Sequence, residues 1–285
     1  MESDEKKNGR IKLNKRSLTQ LVAAVLYNCN IKGFMKSSIY KGDLKGVCVP
    51  GLNCYSCPGA LASCPLGSLQ SGLLSSRYKI PYYVLGLLIL FGLLFGRFIC
   101  GFLCPFGFLQ DLLDKLARKL RLPELKKSRL TRGLSYLKYV ILIAFVIIIP
   151  LVKLVPGFCK YICPAGTLEA GLPLLWGNSE LREITGLLFS WKVFLMCAIL
   201  LFCMICYRSF CRFLCPLGAL YSLFNPVSFF GIKVDESKCT HCNACVRACR
   251  MDVKKVCDRE CIHCGGCIPH CKEGAIRYGV KGFMK

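Results

Sequence analysis

The chain has 285 residues, 54% hydrophobic and 19% charged, with 23 cysteines and a formal net charge of +23. The apolar residues come in long blocks and the cysteines in metal-ligand spacings, which sets aside a disulfide-stapled secreted scaffold. The basic residues cluster in loops between apolar blocks and not on an aromatic-rich patch, so a lipid surface explains the charge better than a nucleic acid. The sequence holds no Ser-His-Asp arrangement, phosphate-binding glycine loop or dinucleotide fingerprint, so no catalytic residue is assigned.

Taken in chain order, residues 1–16 are basic, with Lys6, Lys7, Arg10, Lys12, Lys15 and Arg16. They lead into an apolar stretch, Ser17 to Phe34, that reads as a retained membrane helix and not as a cleaved signal. Gln20, Asn28, Asn30 and Lys32 interrupt it. Three stronger spans follow: Pro81 to Phe102, Leu134 to Val155 and Ile184 to Tyr207. Each is about 20 residues, enough for a hydrocarbon core of about 30 Å. Four crossings put both termini in the cytoplasm, and the cytoplasmic (inner) membrane is the expected location. The loop of residues 108–133 then lies inside, with Lys115, Arg118, Lys119, Arg121, Lys126, Lys127, Arg129 and Arg132. The loop of residues 156–183 lies outside, with only Lys160 and Arg182. The first loop fits the charge rule less well, since Lys36, Lys41, Lys45, Arg77 and Lys79 would face out.

The sequence Cys-Pro-x-Gly-x-Leu occurs four times, beginning at Cys64, Cys104, Cys163 and Cys215. In the last three copies another cysteine stands four residues earlier: Cys100, Cys159 and Cys211. From Arg97 and Arg208 onward the second and fourth copies agree at eight of thirteen positions. Each copy follows an apolar segment. Proline after the cysteine suits the first turn of a helix, and the glycine permits close backbone approach. Such a turn aims thiolates and free N–H groups at one spot, which favours an anionic cluster. Arg97 and Arg208 either snorkel to the interface or offset cluster charge. Successive copies alternate sides, so Cys100, Cys104, Cys211 and Cys215 meet as four metal ligands on the inner side. Outside, Cys159 and Cys163 join members of the group Cys48, Cys54, Cys57 and Cys64, or that group suffices alone. A disulfide or zinc site remains an alternative there.

Two Cys-x2-Cys-x2-Cys-x3-Cys runs close the chain, one over residues 239–249 and one over 261–271. In bacterial ferredoxin runs the fourth cysteine binds the other cluster. Cys239, Cys242, Cys245 and Cys271 would hold one [4Fe-4S] cube, and Cys261, Cys264, Cys267 and Cys249 the second. Arg250 and Lys272 replace the usual following proline. Their charge would raise potentials or offer a docking face to an acidic partner. Cys257 has no assignment. His241, His263 and His270 read as surface or hydrogen-bonding groups, and Cys197, Cys203 and Cys206 as small apolar packing residues. Asp111, Asp114 and Glu169 read as helix-start charges.

The Cys-x3-Cys-Pro turns (Cys100/Cys104, Cys211/Cys215) and the double ferredoxin run resemble the membrane-bound polyferredoxins of the NapH and NosR type. The resemblance covers roughly residues 80–280. The Cys48–Cys64 block and the Cys159/Cys163 turn go beyond its minimal pattern. It implies an α-helical membrane protein of about four transmembrane helices, with a C-terminal α+β two-cluster ferredoxin domain. The domains expected are the basic N-terminus (1–16), a transmembrane domain carrying the turns (17–231) and the double [4Fe-4S] domain (232–285). One or two further clusters are expected at the membrane turns. The implied function is electron relay from a cytoplasmic donor or quinol to an extracytoplasmic flavoprotein or reductase. An accessory, cupric-type reductase for metal-centre assembly and a redox sensor are the alternatives.

Overall fold

The computed structural model describes residues 15–75, 81–125, 127–183 and 185–280. Lys6, Lys7, Arg10, Lys12, Arg77, Lys79, Lys126 and Ile184, named above, lie outside the described residues, as does nearly all of the basic N-terminus.

The cysteine–proline turns set the architecture. Pro65, Pro105 and Pro216 are the first residues of the helices Pro65–Ser75, Pro105–Lys119 and Pro216–Phe224. The ring fixes φ near the helical value, and its missing N–H would have no partner at that position anyway. Cys104 and Cys215 stand before the last two in extended conformation, each as the cap of the helix that follows.

Two helices are long and apolar enough to cross a membrane by length and composition: Arg129–Lys153, of 25 residues, and Leu187–Ile205, of 19. The first is capped reciprocally by Ser128 and Thr131. It widens into a π turn over Leu142–Ile148, just ahead of Pro150. A proline inside a helix removes one hydrogen bond and crowds the preceding turn, and widening relieves both. Both helices turn large apolar side chains outward, among them Val152 (70% exposed), Phe194 (66%) and Leu201 (63%).

The other two expected spans are interrupted. The Pro81 to Phe102 segment forms a helix only over Tyr82–Phe95, then turns at Gly96 and resumes as Phe98–Phe102. Gly96 has φ +51°, and a Cβ there would lie 2.7 Å from Asn225 Oδ1, so only glycine fits. Ser17 to Phe34 is not one helix but two, Lys15–Tyr27 and Ile31–Lys36. The break has a tertiary cause. Asn30 N–H donates to the Gly59 carbonyl, Leu61 N–H to the Tyr27 carbonyl, and Asn28 Nδ2 to Asn53 Oδ1. The cysteine loop thus captures the backbone groups that would have continued the helix. Arg16 at one end meets Asp111 and the Tyr207 hydroxyl, and the Ser37 carbonyl beyond the other end accepts from Asn178.

The C-terminal module is closed by a two-stranded antiparallel sheet, β1 (Phe230–Val234) with β2 (Ile276–Val280), Ile232 opposite Tyr278. Ile232, Met251, Ile262 and Ala275 form its buried interior. It packs directly on the helical domain. A Cβ on Gly101 would lie 2.3 Å from the Ile262 carbonyl oxygen, a main-chain atom that cannot swing aside. Gly101→Ala is therefore expected to cost about 1–3 kcal/mol through overpacking. A lower melting temperature with faster proteolytic release of the module would register it.

Candidate iron–sulfur sites

All four thiols of the inner set are buried: Cys100, Cys104, Cys211 and Cys215. They lie within electrostatic reach of one another, and burial with the neighbouring thiols Cys211 and Cys100 pushes Cys104 up. The turn geometry explains the repeated glycine. Its amide donates to the thiol three residues earlier, Gly218 to Cys215 at 3.3 Å and Gly166 to Cys163 at 3.4 Å, and Gly67 and Gly107 do the same for Cys64 and Cys104. A Cβ on Gly166 would stand 3.8 Å from the sulfurs of both Cys163 and Cys54, so a side chain would fill the cradle between them.

Arg97 and Arg208 are completely buried, which overturns the snorkelling alternative. The two repeats exchange them. Arg97 donates to the Cys211 carbonyl at 3.0 Å, and Arg208 donates to the Cys100 carbonyl at 2.5 Å. Arg97 also contacts the Cys100 thiol. Each cation is paired, Arg97 with Glu260 at 2.6 Å and Arg208 with Asp111 at 2.6 Å. Asp111 and Asp114 are therefore not helix-start charges. Asp111 lies in the second turn of its helix and binds Arg208, Arg16 and Gln20. Burial opposes its ionisation, but the Arg208 and Arg16 guanidiniums hold the carboxyl well below the usual carboxylate range. Asp114 binds Arg250 at 2.6 Å, and Arg250 also binds Glu124 at 2.7 Å. Arg250 thus clamps the C-terminal module to the helical domain, and its charge is already engaged there.

The outer cysteines sort themselves. Cys54, Cys64, Cys159 and Cys163 gather around one point with Glu169 beside them. They line a pocket of about 720 Å³ that Cys48 also borders. Cys48 faces the Ser68 hydroxyl at 3.5 Å, and Cys57 accepts from the Gly59 and Ala60 amides. The first copy has Ala60 where the others have their leading cysteine, and Cys54 comes in from the loop instead. No regular spacing announces that replacement. Glu169 accepts from the Cys54 amide at 2.7 Å, and burial pushes its carboxyl up to about 7. No disulfide joins the described cysteines.

In the C-terminal module, Cys249, Cys261, Cys264 and Cys267 share one pocket of about 460 Å³, and Cys239, Cys242, Cys245 and Cys271 another of about 610 Å³. The fourth cysteine of each run stands with the opposite run. Burial, then the thiols Cys261, Cys264 and Cys249, push Cys267 up to about 12. Thiols crowded in this way ionise readily only against a cation, and the iron of an iron–sulfur cluster supplies one. Of the histidines, His263 is buried and hydrogen-bonds Ile232 N–H and Asn225, while His241 and His270 are exposed. Cys257 bonds the Ile232 carbonyl. Cys203 and Cys206 are buried, but they face polar groups, Ser209 and Arg212, and are not plain apolar filler. Cys197 is exposed.

The sets adjoin one another: His270 borders both ferredoxin pockets. Tyr207 lies near Cys264 and heads the turn that carries Cys211, and Ile262 packs on Gly101 beside Cys100. Consecutive amides of the first loop then join the next two sets: Leu52 N–H donates to Cys104 and Asn53 N–H to Cys64. Tyr221, fully buried, lies near Cys100, Cys104 and Cys64 alike.

The 4Fe-4S binding domain family matches residues 81–123, 137–175 and 188–234, and a second 4Fe-4S binding domain family matches residues 232–255. An uncharacterized protein of Methanocaldococcus jannaschii is 30% identical over 195 residues, covering 67% of this chain and 74% of its own. The regulatory protein NosR of Pseudomonas aeruginosa is 30% identical over 163 residues, 56% of this chain and 21% of NosR. The putative electron transport protein YccM of Escherichia coli is 28% identical over 201 residues, 66% of this chain and 52% of YccM. The chain spans about half the length of several of the curated relatives it matches. No solved structure matches. A mostly helical chain that ends in a ferredoxin module and carries 4Fe-4S binding domains is a polyferredoxin. This one belongs to the NapH and NosR type.

Proposed function

We propose that the chain is a membrane-bound electron conduit holding four iron–sulfur clusters in a row. The observation that carries this reading is the pair of amides, Leu52 and Asn53, that touch thiols of two different sets. Consecutive Cα atoms are 3.8 Å apart, so two hydrogen bonds and one peptide put those sulfurs within roughly 10 Å. A hydrocarbon core of about 30 Å is too wide for one hop. A chain of closely spaced centres divides it.

In this reading Arg129–Lys153 and Leu187–Ile205 cross the bilayer with their exposed apolar faces in lipid. The broken pair Lys15–Tyr27 and Ile31–Lys36 and the bent Tyr82–Phe102 segment complete four crossings. Non-helical backbone at membrane depth is tolerated where protein surrounds it; the cysteine loop packs on the first break and Asn225 on the second. The C-terminal module faces the cytoplasm and holds residues 232–285, with residues 17–231 as the membrane domain. Cys242 is exposed, and Lys238, Arg247, Lys255 and Lys272 border its pocket, which suits entry from an acidic cytoplasmic donor. The pocket around Cys54 and Cys163 faces the opposite side, for an extracytoplasmic flavoprotein or reductase. Similarity to an electron transport protein supports the direction of this argument.

Two measurements test it. The full-length protein, purified anaerobically, is expected to carry about sixteen irons, four per cube. About eight would leave only the ferredoxin pair and remove the conduit. Ser179→Cys is expected to react with an impermeant thiol reagent in intact cells and Arg129→Cys is not, after subtraction of native thiol labelling.

A further inference from the structure

The sixth residue after the second cysteine of each repeat is Gln70, Gln110, Glu169 and Tyr221 in turn. The two glutamines hold matching posts. Both are fully buried, an uncommon place for glutamine and a costly one unless each polar atom has a partner. Gln70 Nε2 donates to Cys159 Sγ at 3.3 Å and Gln110 Nε2 to Cys211 Sγ at 3.0 Å. In each case the same nitrogen reaches back to the carbonyl four residues earlier, Leu66 or Phe106, both at 3.3 Å. Each Oε1 accepts a main-chain N–H from the partner turn, Phe158 at 3.0 Å or Cys211 at 3.4 Å.

That last contact fixes the amide. A main-chain N–H can only donate, so the oxygen must face it, and the NH₂ group is left facing the sulfur. The remaining two repeats offer no such donor. Glu169 accepts from Cys54 N–H, and the Tyr221 hydroxyl donates to the Pro50 carbonyl at 2.8 Å. Each four-cysteine set in the helical domain therefore receives one glutamine N–H, from the first member of its repeat pair to the leading cysteine of the second, and the inner set has the Arg97 guanidinium at Cys100 as well.

We infer that Gln70 and Gln110 are matched positioning residues that raise the reduction potentials of the outer and inner centres by hydrogen-bonding one ligand sulfur in each. The inference rests on reading both cysteine sets as cluster sites. A donor on a ligand sulfur withdraws charge from the cluster and favours its more negative, reduced state. In a buried site that effect is not diluted by water. A glutamine present only for packing would need no nitrogen at the sulfur.

The test uses the full-length protein, purified anaerobically, in redox titrations followed by electron paramagnetic resonance. Gln110→Met keeps the side-chain length and removes the donor, and Gln70→Met does the same for the outer set. Each is expected to shift one centre to lower potential, a different centre for each variant, with unchanged iron content and unchanged ferredoxin signals. Gln110→Glu and Gln70→Glu serve if a methionine variant loses iron, and they are expected to lower the same potentials. Full iron with unmoved potentials, or equal shifts in every centre, would overturn the inference while leaving the conduit intact. Wild-type protein lacking iron beyond the ferredoxin pair would overturn both.

Discussion

Cys104→Ser combined with Cys215→Ser is expected to remove about four irons from the full-length protein and leave the ferredoxin pair loaded, since one cube would lose half of its thiolates. Each cysteine opens a helix and accepts an amide from the glycine three residues on. Serine can still accept that bond, so the turn should survive while the metal does not. Iron per protein and the low-temperature resonance signals read the outcome together. An unchanged iron count in soluble, folded protein would show that these turns serve structure alone. The ferredoxin signals act as the internal control, because their ligands, Cys239 to Cys271, lie on a separate module.

The second large effect concerns how that module is held. Among the described residues Glu260 alone pairs with both Arg97 and Lys138, at 2.6 and 2.5 Å. Both cations are completely buried. Burial works against the Glu260 carboxylate, yet Arg97 and Lys138 hold its pKa below the ordinary value. Removing one partner of a buried pair typically costs about 3–5 kcal/mol, because the remaining charge stays out of water. Here two charges would be stranded. Glu260→Gln is thus expected to lower the melting temperature sharply and to speed exchange of amides at the Gly101–Ile262 contact. Glu124→Gln is the comparison. Glu124 pairs with Arg250 but its side chain is 51% exposed, so its loss should cost about 0–1 kcal/mol. Equal effects from the two variants would refute the buried clamp.

Much of this was readable along the chain, for a physical reason. Cluster ligands in a ferredoxin run must sit on one tight loop, so their spacing is local, and the crossed assignment of Cys249 and Cys271 matches the two pockets. The Cys-Pro-x-Gly-x-Leu repeat is equally local, since proline starts the helix and glycine supplies the amide. The apolar lengths of Arg129–Lys153 and Leu187–Ile205 also needed no tertiary information.

What depends on distant partners was not readable. Asn28 and Asn30 looked like interruptions of one long helix, and the break in which they lie exists because residues 53–61 take up its backbone groups. Arg97 and Arg208 looked like interfacial cations until Glu260 and Asp111, about a hundred or more residues away in sequence, neutralised them in the interior. Cys54 has no repeat spacing to mark it, and only the folded loop brings it to Cys163 in place of Cys48 or Cys57. The sequence by itself determined which short turns present sulfur and which segments are apolar, because hydrogen bonding and rotamer limits act over a few residues. Tertiary structure alone decided which turns share a site and how buried charge is balanced, because both depend on groups that chain order keeps far apart.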